Sequence, residues 1–328
     1  MVNAITIEFH DACINGELEK VSKLLCKRGE IDVAYLNDQV TLCKTVEKEH
    51  IEIVKNLLEI GVNVNQRDWF DRTPLQYARN PTIAKILLDN GASVDAQNFE
   101  RATPLFNACY FGPSELVQIL LKHNADINKE DRWTYTPLHF VLRSKASGIV
   151  EILLENGADL NEINSEGKTL LHQACFYGEL KVVQKLLRHH ADIDAKGWSD
   201  VTPLVEACMS GHLKIVQELL KHKPNINAFY RGITKKFTPL DIAVINGFPE
   251  ILEELLKHGA DISSSPYLHL SIQKRRIEVV KAFLKNGCNT KFRIKKIYNE
   301  VLPDCNAFEL ALYFRSVDIV KIIAFNGN

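Results

Sequence analysis

The 328-residue chain predicts an all-α solenoid of about ten helix-turn-helix units with projecting β-hairpin-like turns, and three observations predict it. First, the segment Thr136-Pro137-Leu138-His139 recurs, whole or eroded, ten times. Aligned on the Thr, the copies start at Ile7, Val40, Thr73, Thr103, Thr136, Thr169, Thr202, Thr238, Pro266 and Asn306. Five of the nine intervals are 33 residues and the others are 30, 36, 28 and 40, so the period is that of stacked repeats. Second, a period carries two short apolar stripes at helical spacing. Third, a Gly and a run of Asp and Asn punctuate it, as at Gly157, Asp159 and Asn161.

Each element of the period follows from its residues. Thr136 can cap the free amides of a helix, and Pro137 is pre-shaped for its first turn. Leu138, Val141 and Leu142 fall on one face of a short first helix. Ile149, Val150, Leu153 and Leu154 form the buried stripe of a second. Gly157 supplies a left-handed stop, and Asn164-Ser165-Glu166-Gly167 reads as a turn projecting ahead of the next Thr.

Helices of about ten residues do not persist alone in water, so each must seal its apolar face on a neighbour. Four aliphatic side chains buried per interface offer roughly 6–12 kcal/mol before chain entropy is subtracted. Helix layers about 8–10 Å apart would make residues 1–328 one domain, a curved rod on the order of 90 Å long.

These residues resemble the ankyrin-repeat family across nearly the full chain. The matching segments are TPLHFVL at Thr136, TLLHQAC at Thr169, TPLVEACMSGHLKIVQELL at Thr202 and GADI at Gly259; the first, second, ninth and tenth units are the most eroded. The resemblance implies an ankyrin-repeat solenoid in which His139, His172 and His269 hydrogen-bond neighbouring backbone turns. It implies protein partners met at the turn tips and on the inner face of the first helices. It also places Asn128, Asn161 and Asn227 where family members can be hydroxylated.

Composition narrows the function classes. Forty Lys plus Arg against 41 Asp plus Glu leave no global field for nucleic acid or anionic membrane. No run approaches the roughly 18 apolar residues of a membrane span, and the start, MVNAITIEFHDAC, lacks the build of a signal peptide. Cys13, Cys109, Cys175 and Cys208 share one repeat phase beside a small Ala, the spacing of stacked core thiols rather than disulfides. A reducing compartment, the cytoplasm or alternatively the nucleus, is the expected setting. No phosphate loop, nucleophile elbow or zinc-protease motif appears, and His189-His190 lacks spaced partners. No catalysis, cofactor, metal or small-molecule substrate is expected.

The informative residues are those the scaffold does not require. The tips read QRDWFDR, QNFER, KEDRWTY, EINSEG, KGWSD and FYRGITKKF. They hold all three tryptophans, Trp69, Trp133 and Trp198, with Phe70, Phe99, Tyr135, Phe229, Tyr230 and Phe237. At the end of the first helices, where the concave groove is expected, stand Tyr110-Phe111, Phe176-Tyr177, Met209-Ser210 and Ile245-Asn246. Aromatic groups left in water mark binding surfaces, so a groove from Trp69 to Met209 is expected to hold a protein segment. The alternative is that each ring packs on the next turn and stiffens the stack.

The C-terminal third departs from the pattern. FYRGITKKF is three residues longer than standard; the connection through Ser263-Ser264-Ser265-Pro266 is five shorter, and that from Asn289 to Cys305 is seven longer. From Lys274 to Lys296 there are nine basic residues and one acidic, Glu278, and Lys291, Arg293, Lys295 and Lys296 form a candidate docking patch for an acidic or phosphorylated partner. The apolar stretch IVKIIAF before Gly327-Asn328 is expected to be covered, by further chain or by a partner.

The leading reading is a non-catalytic intracellular adaptor or scaffold binding one or more proteins. The alternatives are a substrate-recognition subunit of a ubiquitin ligase, an inhibitor masking a transcription factor, or a host-directed effector.

Overall fold

Thr202 shows how one repeat begins. Its backbone is extended, its hydroxyl accepts the Val205 amide at 3.4 Å, and Pro203 opens the helix Pro203–Ser210. Gly211 ends that helix at φ 75°, a left-handed conformation that costs other residues roughly 1–2 kcal/mol. His212 then precedes Leu213–Lys221, which buries Ile215, Val216, Leu219 and Leu220.

The computed structural model describes residues 2–144, 147–232, 236–262, 267–297 and 300–326. Two compact units divide the chain, Met1–Leu160 and Asn161–Asn328. In the first, the helix pairs are Ala4–Asn15 with Leu18–Leu25, Thr41–Glu47 with Ile51–Glu59, Pro74–Tyr77 with Pro81–Asp89, Pro104–Phe111 with Ser114–Lys122, and Pro137–Ser144 with Ser147–Glu155. In the second they are Leu170–Tyr177 with Leu180–Arg188, Pro203–Ser210 with Leu213–Lys221, Pro239–Asn246 with Pro249–Lys257, Tyr267–Gln273 with Ile277–Lys285, and Ala307–Tyr313 with Val317–Asn326. The all-α repeat architecture is therefore the one the period predicts. Among the described residues no helix is long and apolar enough to cross a membrane.

Irregular spacing has local causes. The 30-residue repeat at Thr73 loses its residues from the first helix, which is only Pro74–Tyr77 before Asn80 caps the next. The first repeat gains a turn instead, capped by Asn3 through the Thr6 amide. Both lengthened connections have room for strand pairing. In one, β1 (Tyr230–Arg231) pairs antiparallel with β2 (Lys236–Phe237); in the other, β3 (Ile294–Ile297) pairs with β4 (Glu300–Cys305). The expected repeat start at Pro266, the serines 263–265 and the terminal Gly327-Asn328 lie outside the described residues.

Polar side chains tie successive repeats together in two ways. In the first unit Asn37, Asn65, Asp95 and Asn128 each accept, through Oδ1, a backbone amide of the next repeat at 2.8–3.0 Å. In the second unit Asn161, Asp194 and Asn227 do the same at 2.9–3.1 Å. These interactions give the Asp and Asn run a stacking role.

A second tie runs from the fourth position of the Thr-Pro-Leu-His segment. The Thr169 amide donates to His172 Nδ1 at 3.2 Å, and His172 Nε2 donates to the Val201 carbonyl at 2.9 Å, in the next turn. Gln76 performs the same task with different atoms: its Oε1 accepts the Thr73 amide, and its Nε2 donates to the Ala102 carbonyl at 2.7 Å. In both repeats the bridge uses a side chain with an acceptor at one end and a donor at the other.

The core thiols follow the same logic of burial. Cys13, Cys109, Cys175 and Cys208 are fully enclosed, and none of the eight cysteines forms a disulfide. Burial pushes the Cys13 thiol up to about 12 and raises Cys109, Cys175 and Cys208 as well.

Burial also favours neutral imidazole, lowering His172 below its ordinary range and His269 to about 4. The unfolded chain binds protons at these sites first, so their contribution to stability is complete above about pH 6.5 and is lost as pH falls toward 4. We expect urea denaturation at pH 4.5 to show a loss on the order of 2 kcal/mol relative to pH 7 from these two groups. A His172→Gln, His269→Gln variant should lose less over that interval, because Gln does not titrate and at position 172 can make the bridge that Gln76 makes.

Candidate protein-binding surface

Backbone closure decides which tip residues project. In the first unit Asp68, Asn98 and Asp131 each open a five-residue turn. The amide of the opening residue donates to the carbonyl four residues on: Asp68 to Arg72, Asn98 to Ala102 and Asp131 to Tyr135, at 3.0–3.2 Å. Through Oδ1 the same side chain accepts the amides two and four residues on, at 2.8–3.0 Å. The fourth residue is left-handed: Asp71, Arg101 and Thr134. With its ends pinned, the turn directs its second and third residues outward. Those are Trp69-Phe70, Phe99-Glu100 and Arg132-Trp133.

Successive tips of this unit also bond to each other. Phe99 N–H donates to the Phe70 carbonyl at 3.2 Å, and Arg132 N–H to that of Glu100 at 2.9 Å. Trp69 is 90% exposed, and Phe70, Phe99 and Trp133 stand open to solvent.

Tyr135 is a correction. The sequence places it in the exposed aromatic row, but it is the last residue of its turn and only 8% exposed. Its amide and carbonyl are both engaged by Asp131. The cause of its burial lies one repeat back, where Phe106 stands at the fourth position of its segment in place of a polar residue. Phe106, Ala102 and Tyr135 form an apolar cluster with Phe140 against it.

From that cluster, rings continue outward along the inner face. Phe140 meets Phe106 at 5.1 Å and Tyr110 at 6.2 Å, and Tyr110 meets Phe111 at 4.4 Å, all edge-to-face. Tyr110 and Phe111 are exposed.

In the second unit Asn164 closes its turn by the same rule, accepting from Glu166 and Lys168. The next tip cannot, because it begins with Gly197. A Cβ there would lie 2.3 Å from the Gly167 carbonyl oxygen, so no Asp or Asn fits. The tip winds instead through left-handed Ser199 and Asp200, and the Trp198 indole lies over Gly167 while remaining largely exposed. Phe176 and Tyr177, exposed at the end of their helix, meet edge-to-face at 5.2 Å. Met209 is half-buried rather than open. Tyr230 and Phe237 stack on each other at 5.3 Å across the β1–β2 hairpin, which is the packing alternative realised at that pair.

The sequence alone misses a set of cations seated on these rings. Arg72 lies 4.7 Å from the centroids of both Phe70 and Tyr77, Arg79 lies 5.1 Å from Phe111, and Arg132 lies 5.1 Å from Trp133. In the second unit Lys168 lies 4.6 Å from Phe176 and Lys236 lies 4.0 Å from Phe229. Arg72 also pairs with Asp68 at 3.1 Å, and Lys168 with the nearly enclosed Glu206 at 3.1 Å. Asp68 sits partly buried, which alone would raise its carboxyl. The Tyr77 hydroxyl and the Arg72 and Phe70 amides outweigh that and hold it below the usual range. The neighbours Arg132-Trp133 are legible in sequence; Arg79 on Phe111 needs the fold.

The C-terminal basic run is largely spoken for. Arg293, exposed, pairs with Asp304 at 3.2 Å and Glu309 at 3.1 Å. Lys281 pairs with Glu278 and Lys285 with Glu253. Lys291 is exposed, and the side chains of Lys295 and Lys296 lie outside the described residues.

Comparison with known proteins agrees with this geometry. A family model described as ankyrin repeats (3 copies) matches residues 9–98, 79–164, 105–197 and 171–266. The chain belongs to the ankyrin-repeat family, whose repeats mediate protein–protein interaction. It is 36% identical over 80 residues to the potassium channel GORK of Arabidopsis thaliana, covering 24% of this chain and 10% of the channel. It is 31% identical over 100 residues to protein phosphatase 1 regulatory subunit 27 of Mus musculus, covering 29% of this chain and 65% of that protein. The chain thus spans a small part of the first relative and under two thirds of the second.

The two classes of aromatic should separate on mutation. Tyr135→Ala empties a buried site and should cost roughly 3–4 kcal/mol, whereas Trp69→Ala should stay within about 0.5 kcal/mol of the parent chain. Chemical denaturation of both variants measures the difference.

Proposed function

We propose that this protein is a non-catalytic adaptor that holds a partner protein against its exposed tips and first-helix ends, acting in the cytoplasm or nucleus. The observation that carries the reading is the set of exposed rings the stack does not need. Trp69, Phe70, Phe99, Tyr110, Phe111 and Trp133 stand in water in the first unit, and Phe176, Tyr177 and Trp198 in the second. Their backbones are fixed before any partner arrives, so association orders little chain.

The absence of catalysis in this reading is supported by what the reactive groups are doing. The four stacked thiols are enclosed and protonated, and His172 is committed to a structural bridge. Eight cysteines outside any disulfide fit a reducing compartment. Similarity to a protein named as a phosphatase regulatory subunit favours a regulatory adaptor, one that brings a bound protein to an effector.

Affinity capture from cell extract with the intact chain, in parallel with a Trp69→Ala, Tyr110→Ala variant and a Phe176→Ala variant, tests the proposal. Proteins retained by the parent chain should be lost from at least one variant, while denaturation midpoints stay unchanged. Retention of the same proteins by all three would show that the rings do not form the binding surface.

A further inference from the structure

The cations on the rings specify the chemistry of the partner, and this deepens the protein-binding reading above and rests on it. A guanidinium lying on an aromatic face is held in place without a carboxylate, and its N–H edges stay available to an incoming acceptor. In the first unit Arg79 on Phe111 and Arg132 on Trp133 are both exposed, and neither has an ion pair among the described residues. Arg67 offers a contrast within the same unit, because it is bound to Asp71 at 2.8 Å and to the Gln97 carbonyl.

The two free cations stand at opposite ends of one apolar path. Arg132 belongs to a turn tip, at the start of the first helices. Arg79 follows the shortened helix Pro74–Tyr77 and lies by Phe111, at their far end. Between them run the rings of Phe111, Tyr110 and Phe140, the last leading to buried Tyr135. One first-helix length of about 12 Å and nearly two repeat steps of roughly 10 Å separate the cations by about 20–25 Å. Six or seven residues of extended chain cover that distance, at about 3.3 Å each.

We propose that the first unit binds an extended acidic-apolar segment of another protein, with carboxylates about six or seven residues apart meeting Arg79 and Arg132 and apolar side chains between them on Tyr110 and Phe111. Aromatic rings interleaved with arginines also suit single-stranded nucleic acid. A nucleic-acid strand carries a charge at every residue, whereas this path sets Arg79 and Arg132 at its two ends with rings between them, so a polypeptide with spaced carboxylates and apolar residues between is the occupant the surface favours.

Selection of phage-displayed random dodecapeptides on the intact chain tests this. Enriched sequences should carry two acidic residues at that separation around apolar ones. A synthetic peptide from the set, read by fluorescence polarisation, should bind an Arg79→Ala, Arg132→Ala variant at least tenfold more weakly and an Arg67→Ala variant within about twofold. An Arg79→Glu, Arg132→Glu variant should enrich basic peptides instead.

Several results overturn the proposal. Enriched peptides without acidic residues that still depend on Trp69 and Tyr110 would sink the acidic reading and leave protein binding intact. A labelled twelve-nucleotide oligouridylate that binds through Arg79 and Arg132 would assign the surface to nucleic acid. A dimer in sedimentation velocity that Arg79→Glu dissolves would assign it to a second copy of the chain. Enrichment of no peptide at all also overturns it, and the capture experiment then decides the broader reading separately.

Discussion

No repeat in this chain can satisfy its own groups, and everything else in the structure depends on that. The apolar stripes are too short to hold helices unaided, and the polar ends of each turn are equally incomplete. Val201 offers a carbonyl that His172 of the preceding repeat fills, and Asp192 an amide that Asn161 fills. Each such bond joins residues about one period apart. An error in stacking register would therefore break these bonds, and at His172 and Gln76 it would strand an enclosed polar group at a cost of roughly 1–3 kcal/mol. Hydrophobic burial supplies the drive to stack; these bonds supply the register.

Because backbone bonds and the first residue's side chain hold each tip, the side chains in the middle of the tip are released from structural duty. Asp131 illustrates the division. The same carboxylate holds the amide of Trp133, which faces water, and that of Tyr135, which faces the core. Two aromatics two residues apart thus belong to different functions. Phe106 shows the converse: at the position where Gln76 and His172 bridge in their repeats, an apolar ring converts the interface there to aromatic packing, and that packing continues outward to the exposed pair Tyr110-Phe111.

Most of the fold was legible in the sequence because the period is a one-dimensional signal. Thr, Pro and Gly mark the boundaries of each helix independently of what lies opposite. The site was only partly legible. Tip aromatics can be counted, but whether a tip residue projects depends on the turn's hydrogen bonds, which is why Tyr135 was misplaced and Trp69 was not. The ion pairs of Arg293 were not legible because Asp304 and Glu309, 11 and 16 residues away, reach it only once β4 has returned beside β3. Arg79 drew no notice because its ring belongs to the following repeat. Wherever the deciding contact lay within a few residues, sequence sufficed; wherever it crossed a repeat, it did not.

The mutual dependence of neighbours is tested most directly by native-state hydrogen exchange on the intact chain carrying Leu171→Ala, a buried position in the helix Leu170–Tyr177. The account predicts that protection falls together in that helix and in Pro203–Ser210 of the next repeat, the helix against which it packs. Loss confined to Leu170–Tyr177, with Pro203–Ser210 as protected as in the parent chain, would contradict it.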